Sequence, residues 1–130
     1  MFTIEEIQAA EKKIKTGADF PQFIKEIKAM GVTRNDVYVI NGQSIYFGKD
    51  DHTAESAPAY ESLIIEEESS AEDLKSALKI HQKGETNYDT FCRQAAAAGV
   101  EKWVTDLELL TVSYLDKAGQ ELVVEHIKIV

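Results

Sequence analysis

The second half of the chain repeats the first half in outline, and this internal repeat constrains the fold more than any single motif does. Glycines, aromatic residues and small apolar residues recur at an offset of 67 residues before the Gly84 loop (84 − 17) and 68 residues after it (88 − 20). The matching pairs are Gly17 with Gly84, Phe20 with Tyr88, Phe23 with Phe91, Ala29 with Ala97, and Gly31-Val32 with Gly99-Val100. Such a repeat indicates one supersecondary unit used twice, because a single unit cannot bury its apolar face alone.

The composition predicts a single globular domain over residues 1–130. Hydrophobic residues make up 44% of the chain and charged residues 28%, and a chain of this length buries about two thirds of the surface that it exposes when unfolded. The 14 Lys and Arg residues against 23 Asp and Glu residues give a net charge of −9. We expect neither nucleic acid nor an anionic membrane as a partner, because both require a basic face.

Cysteine usage and the N-terminal segment predict the compartment. Cys92 is the only cysteine, so no internal disulfide can form and a reducing compartment is expected. The N-terminal segment contains Glu5 and Glu6 and lacks the apolar run of a secretory signal. No stretch approaches the roughly 18 consecutive apolar residues of a transmembrane helix. We therefore expect a cytoplasmic protein.

The first half begins with two helix signals. Thr3 followed by Glu6 forms a capping box, and the apolar spacing after it predicts a helix that continues to Gly17. Asp19 predicts the N-cap of a second helix, which Gly31 ends in the left-handed conformation.

Strand signals follow. Residues 36–40 and 44–47 are rich in β-branched and aromatic residues, and Asn41-Gly42 between them predicts a β-hairpin. The polar residues 48–60 predict the longest loop. The apolar block within residues 61–66 predicts a further strand.

The second half predicts the same order of elements. Ser70 is expected to cap a third helix that ends near Gly84, and a fourth helix is stopped by Gly99. The strands that follow are predicted at residues 102–105, 109–115 and 121–129, with a turn at 116–120 between the last two.

Helix pairs followed by strands predict a two-layer α+β fold, with four helices on one face of an antiparallel sheet of five or six strands. The pseudo-repeat comprises residues 3–48 and 70–129. In the last strand we expect Val123, Ile127 and Ile129 to face the helices, which places Glu125 on the same face.

Several short motifs resemble those of a known family. They are YFG at 46–48, HQKG at 81–84, TFC at 90–92, EKWV at 101–104, and YLDKAGQE at 114–121. With these motifs, the chain resembles a family of small uncharacterised enterobacterial proteins, some of them encoded in prophages and some labelled phage envelope protein. The resemblance covers essentially the whole chain and implies a bacterial or prophage origin. It implies no activity, cofactor or catalytic residue.

One candidate catalytic pair arises where the second repeat breaks the apolar pattern of the first. His81 takes the place of Ile14, and Cys92 takes the place of Ile24. Antiparallel helices joined by a short loop would place His81 and Cys92 about one turn from that loop, on facing stripes. The imidazole could then draw the thiol proton and activate the sulfur. The alternative is structural, because free cysteine is commonly buried and a histidine is stabilised at a helix C-terminus.

The long loop contains candidate metal ligands. Asp50, Asp51 and His52 bring carboxylates and an imidazole close together in sequence. Their spacing fits no calcium-binding loop, and a solvated loop is the alternative. We expect no metal and no cofactor.

Three aromatic residues are candidate binding residues. Trp103, Tyr88 and Tyr46 could line a groove between helices and sheet, because aromatic side chains often anchor partners. Positions in the core are the alternative.

The absence of a convergent polar site favours a non-enzymatic module that binds a protein partner or associates with itself. The alternative is a thiol-dependent enzyme or redox sensor that uses Cys92 with His81.

Overall fold

The computed structural model of the chain describes residues 1–15 and 19–128. In both halves of the chain, two helices precede three strands. The helices are α1 (Ile4–Glu11), α2 (Phe20–Ala29), α3 (Ala71–Gln82) and α4 (Tyr88–Ala97). The strands are β1 (Arg34–Tyr38), β2 (Ser44–Phe47), β3 (Thr53–Glu55), β4 (Val100–Asp106), β5 (Thr111–Asp116) and β6 (Glu121–His126).

These strands form one antiparallel sheet in the order β3-β2-β1-β4-β5-β6. The order is symmetric about the central β1–β4 pair, so each half of the chain extends from the centre of the sheet to one edge. The predicted α+β class, with four helices and an antiparallel sheet of five or six strands, is confirmed for the residues described. Two copies of one unit would give this order, but the sequence repeat stays a prediction, and Gly17 lies outside the described residues.

The helices cover one face of the sheet. Side chains alternate between the two faces along a strand, and Val37, Trp103 and Tyr114 are register neighbours that are buried together with residues of α3 and α4. We call this cluster the α3–α4 core. A second cluster, the α1–α2 core, contains Ile7, Ile24 and other buried residues of α1 and α2.

Two of the predicted helix caps are confirmed. The Thr3 side chain accepts a hydrogen bond from the Glu6 backbone N–H, and the Ser70 side chain accepts one from the Asp73 N–H. The first helix is shorter than predicted, because i→i+3 bonds at residues 13 and 14 replace the helical ladder after Glu11. Ile14 still packs against the α1–α2 core, so the apolar spacing extends beyond the helix.

The first hairpin contains Asn41-Gly42, as predicted, with Gly42 in the left-handed conformation at φ 72°. Its first strand lies earlier than expected, over Arg34–Tyr38. The strand ends there because the next two residues, Val39 and Ile40, form backbone hydrogen bonds outside the β1–β2 pair. The Val39 N–H donates to the carbonyl of Glu101, and the Ile40 carbonyl accepts from the N–H of Leu63.

The predictions for residues 48–66 were partly wrong. Residues 61–66 form no strand, because the neighbouring positions in the sheet are already occupied on both sides of β1. This segment makes only isolated backbone bonds, such as those from Leu63 N–H to Ile40 O and from Glu66 N–H to Ala96 O. The expected long loop instead contains a 3₁₀ turn, Lys49–Asp51, and the edge strand β3.

The last strand faces the helices with the side that was expected. Val123 pairs with Tyr114 and packs against the α3–α4 core, and Ile127 packs there too. Glu125 shares this face. Its carboxylate is satisfied there, because it accepts hydrogen bonds from the Tyr114 hydroxyl at 3.0 Å and from Gln82 Nε2 at 2.6 Å. Ile129 lies outside the described residues.

Candidate functional site

Cys92 lies on α4 with no exposed surface, inside the α3–α4 core. Burial raises the pKa of its thiol, and hydrogen bonds to the hydroxyls of Tyr60 and Tyr88 only partly oppose that shift. Burial, together with the nearby thiol, also raises the pKa values of both tyrosines. At neutral pH all three groups are therefore protonated, and the site holds no thiolate nucleophile.

His81 makes its contacts away from the thiol. Its ring stacks on Phe91, with centroids 4.7 Å apart and an angle of 21° between the ring planes. Its Nδ1 lies 3.2 Å from both the carbonyl oxygen and the hydroxyl of Thr86, in the loop between α3 and α4. These contacts fix the end of α3 against the interhelical loop. Among the described residues, the hydrogen-bonding partner of His81 is Thr86 and not the Cys92 thiol, so the geometry does not favour a catalytic pair.

The candidate metal ligands have separate surroundings. His52 Nε2 lies 2.7 Å from the carbonyl oxygen of Phe2, and the two rings meet edge to face at 4.5 Å. Asp50 and Asp51 are exposed, with φ values of 56° and 61°. Within residues 1–15 and 19–128, no group of three or more His, Cys, Asp or Glu side chains could hold a metal ion. His52 therefore ties the N-terminal segment to the turn before β3.

The three candidate aromatic residues divide between the two cores. Trp103 is 9% exposed and contacts Tyr88, Phe91 and Tyr114 through ring centroids between 5.8 and 6.3 Å apart. Tyr46 is buried in the α1–α2 core. The structure thus brings Trp103 and Tyr88 together and leaves Tyr46 apart. Of the three, Tyr88 is the exposed one, at 49%.

An open groove of about 420 Å³ lies where the segment 63–67 passes the ends of β1 and β4. We call it the 63–67 groove. Its apolar residues include two isoleucines with unusual exposure, Ile64 at 86% and Ile40 at 44%. The complete lining is Tyr38, Ile40, Leu63, Ile64, Ile65, Glu66, Glu67, Glu101 and Lys117.

The segment that forms one wall of the groove is fixed on its inner side. Leu63 and Ile65 point into the α3–α4 core, while Ile64 between them points outward. Before them, the Tyr60 hydroxyl donates to the Val39 carbonyl at 2.6 Å. After them, Lys117 Nζ lies 2.6 Å from Glu67 Oε1. Ile64 is therefore exposed on a segment whose position is fixed by the residues on either side of it.

Close packing behind this wall fixes its other end. Gly99 has φ 84°, and a Cβ added there would lie 2.7 Å from Ser69 Cα and 3.0 Å from the Glu68 carbonyl. The Ser69 hydroxyl donates to Asp116 Oδ2 at 3.0 Å. These contacts hold the chain just after the groove against α4 and the β5–β6 turn.

Comparison with known proteins identifies the family. The description "Protein of unknown function (DUF1398)" applies to the family that matches residues 8–126. The chain belongs to the DUF1398 family. No curated protein matches the sequence significantly.

Membership of DUF1398 assigns no chemistry to any residue, so a function for this chain has to be argued from its own surface. Sequence reasoning missed the groove residues Ile40 and Ile64. The available signal is the apolar run Leu63-Ile64-Ile65, which also fits the strand predicted over residues 61–66. In addition, none of the helices in the described part of this DUF1398 protein has the length and apolar character needed to cross a membrane.

Proposed function

We propose that this DUF1398 protein is a non-enzymatic module that binds a partner protein through the 63–67 groove. The observation that carries the proposal is the pair of exposed isoleucines, Ile40 and Ile64, on a groove whose wall is anchored from behind. A bacterial or prophage origin and a cytoplasmic location, both expected from the sequence, belong to the same proposal.

A partner that covers the exposed isoleucines would gain binding free energy from their burial. Full burial of an isoleucine side chain contributes about 1.5–3 kcal/mol. Few residues usually carry most of the binding energy of an interface, and they lie near its centre. Ile64 and Ile40 are suited to this role, because Leu63 and Ile65 on either side of Ile64 pack against the α3–α4 core and the Leu63 N–H donates to the Ile40 carbonyl. Little ordering entropy would then be lost on binding.

The thiol alternative lacks comparable support. Cys92 has no exposed surface, and burial raises the pKa of its thiol. A thiol enzyme needs an accessible sulfur with a lowered pKa.

A comparison of two charge insertions tests the proposal. Ile64→Glu places a carboxylate on the groove, while Leu109→Glu places one on the β4–β5 turn at a residue that is 72% exposed. Neither change should alter the melting temperature by more than a few degrees, since both side chains are exposed. We expect a partner captured from cell extract by the wild-type protein to be retained by Leu109→Glu and lost by Ile64→Glu. Equal retention by both variants would refute the proposal.

A further inference from the structure

The 63–67 groove carries an uneven set of charges. Its lining includes the carboxylates of Glu66, Glu67 and Glu101 and a single ammonium group, that of Lys117. Lys117 is engaged by Glu67 at 2.6 Å. Within the described residues, Glu66 and Glu101 are exposed and form no ion pair. The charge of these two carboxylates is thus not compensated by the protein.

Lys102, the cation next to Glu101 in sequence, is engaged by a carboxylate outside the groove lining. Its Nζ lies 3.9 Å from Asp36 Oδ2 and 5.6 Å from the centroid of the Tyr38 ring. Asp36 is buried and also contacts Arg34, with 3.2 Å between Oδ1 and Nε. Lys102 is therefore held toward the centre of the sheet, where it balances a buried carboxylate.

The groove lining combines exposed apolar side chains with two uncompensated carboxylates, and this combination defines the chemistry of a matching segment. A matching segment carries one or two large aliphatic side chains for Ile40 and Ile64, flanked by Lys or Arg for Glu66 and Glu101. The net charge of −9 acts in the same direction, because it attracts a basic partner at long range and repels an acidic one. It also opposes a second copy of this chain, which would bring the same carboxylates to the contact.

We infer that the groove recognises a basic, aliphatic segment of a partner protein. This inference rests on the proposed function and adds the chemistry of the partner. Recognition has two parts, since the isoleucines supply contact area and the carboxylates select the charge of the flanking residues.

Three capped peptides test the inference. All contain Leu-Ile at the centre, with Lys-Arg, Gln-Ser or Glu-Glu on each side. Each is titrated into ¹⁵N-labelled protein, and the amide shifts of residues 40, 64–67 and 101 are followed. We expect the basic peptide to bind about tenfold more tightly than the neutral one and the acidic peptide to bind most weakly. Salt should reduce the preference, because exposed charges are screened.

Two variants test whether the carboxylates of Glu66 and Glu101 cause the preference for the basic peptide. Glu66→Gln combined with Glu101→Gln should bring the basic peptide close to the affinity of the neutral one. The control Glu108→Gln removes an exposed carboxylate from the β4–β5 turn and should leave the preference unchanged.

The outcomes separate this inference from the proposed function. Equal binding of all three peptides in the groove would overturn the charge selection and leave a protein-binding groove intact. Binding of none, or shifts elsewhere on the protein, would overturn the inference, while the comparison of Ile64→Glu with Leu109→Glu judges the proposed function separately. A dimer in light scattering that Ile64→Glu dissociates would make a second copy the occupant and would also overturn the inference.

Discussion

The α3–α4 core and the 63–67 groove use their side chains in opposite ways. In the core, the side chains that could be reactive are covered, because the Cys92 thiol has no exposed surface and the His81 ring stacks on Phe91. In the groove, the isoleucines are uncovered and two carboxylates have no ion-pair partner among the described residues. In this protein, the residues that could be reactive have structural roles. The candidate site consists instead of exposed apolar side chains.

Thiol labelling gives the largest expected contrast between the two regions. Cys92 has no exposed surface and a raised pKa. If labelling requires unfolding, which costs about 5 kcal/mol or more, the native protein should react at least roughly 5,000-fold more slowly than protein unfolded in guanidinium. The measurement is the rate of reaction with a thiol reagent at neutral pH. A native rate close to the unfolded rate would contradict the view that the core covers Cys92, because the thiol would then be accessible to reagents.

Truncation of Trp103 should have the largest effect on stability. Trp103→Ala removes a ring that contacts three other aromatic residues in the α3–α4 core. The free energy of unfolding in urea should fall by about 3–5 kcal/mol. Leu109→Ala is the matched control and should change it by no more than about 0.5 kcal/mol, because Leu109 is 72% exposed. A cost below about 1 kcal/mol for Trp103→Ala would mean that this aromatic cluster does not support the fold.

Asp116 lies at the boundary between the two regions, and its contribution should depend on pH. A hydrogen bond from the Gln120 backbone N–H, with others from Ser69 and Ala118, lowers the pKa of this carboxyl below its ordinary value of 3.8. A lowered pKa in the folded state stabilises the protein above pH 3.8, and this stabilisation is lost as the pH falls through the folded value.

Asp116→Asn tests this boundary. The variant should be less stable than the wild type at pH 6, and the difference should shrink as the pH falls toward about 2. Urea unfolding at several pH values measures it, with Glu108→Gln as a control for an exposed acid. A difference that stays constant over this range would show that the carboxylate charge plays no part in holding Ser69.

Ile64→Ala should have the smallest effect on stability. Because Ile64 is 86% exposed, the free energy of unfolding should change by no more than about 0.5 kcal/mol. The measurement is urea unfolding of Ile64→Ala and Trp103→Ala under the same conditions. A loss of more than about 1.5 kcal/mol would place Ile64 in the folded core and remove it from the candidate interface.

Much of the fold could be predicted from local signals. Thr3 and Ser70 cap helices, and Asn41-Gly42 turns a hairpin, because the energetics of caps and turns depend on a few neighbouring residues. The segment 61–66 could not be predicted in the same way. Its apolar run fits a strand, but whether it pairs depends on vacancies in the sheet, which β2 and β4 fill beside β1.

The site was harder to predict than the fold for a related reason. His81 and Cys92 attract notice by residue type, yet their roles depend on Thr86, Phe91 and Tyr60, which only the tertiary structure brings to them. Exposure of Ile64 is likewise a tertiary property, because Leu63 and Ile65 on either side of it pack against the α3–α4 core.

The close approach at Gly99 connects the candidate binding surface to a residue outside its lining. A methyl group at this position would collide with the backbone of residues 68 and 69, so the chain that follows the groove wall would have to move. A variant with a side chain at this place would then present the same lining residues on a displaced backbone. The shape of the candidate groove thus depends on a residue that does not line it.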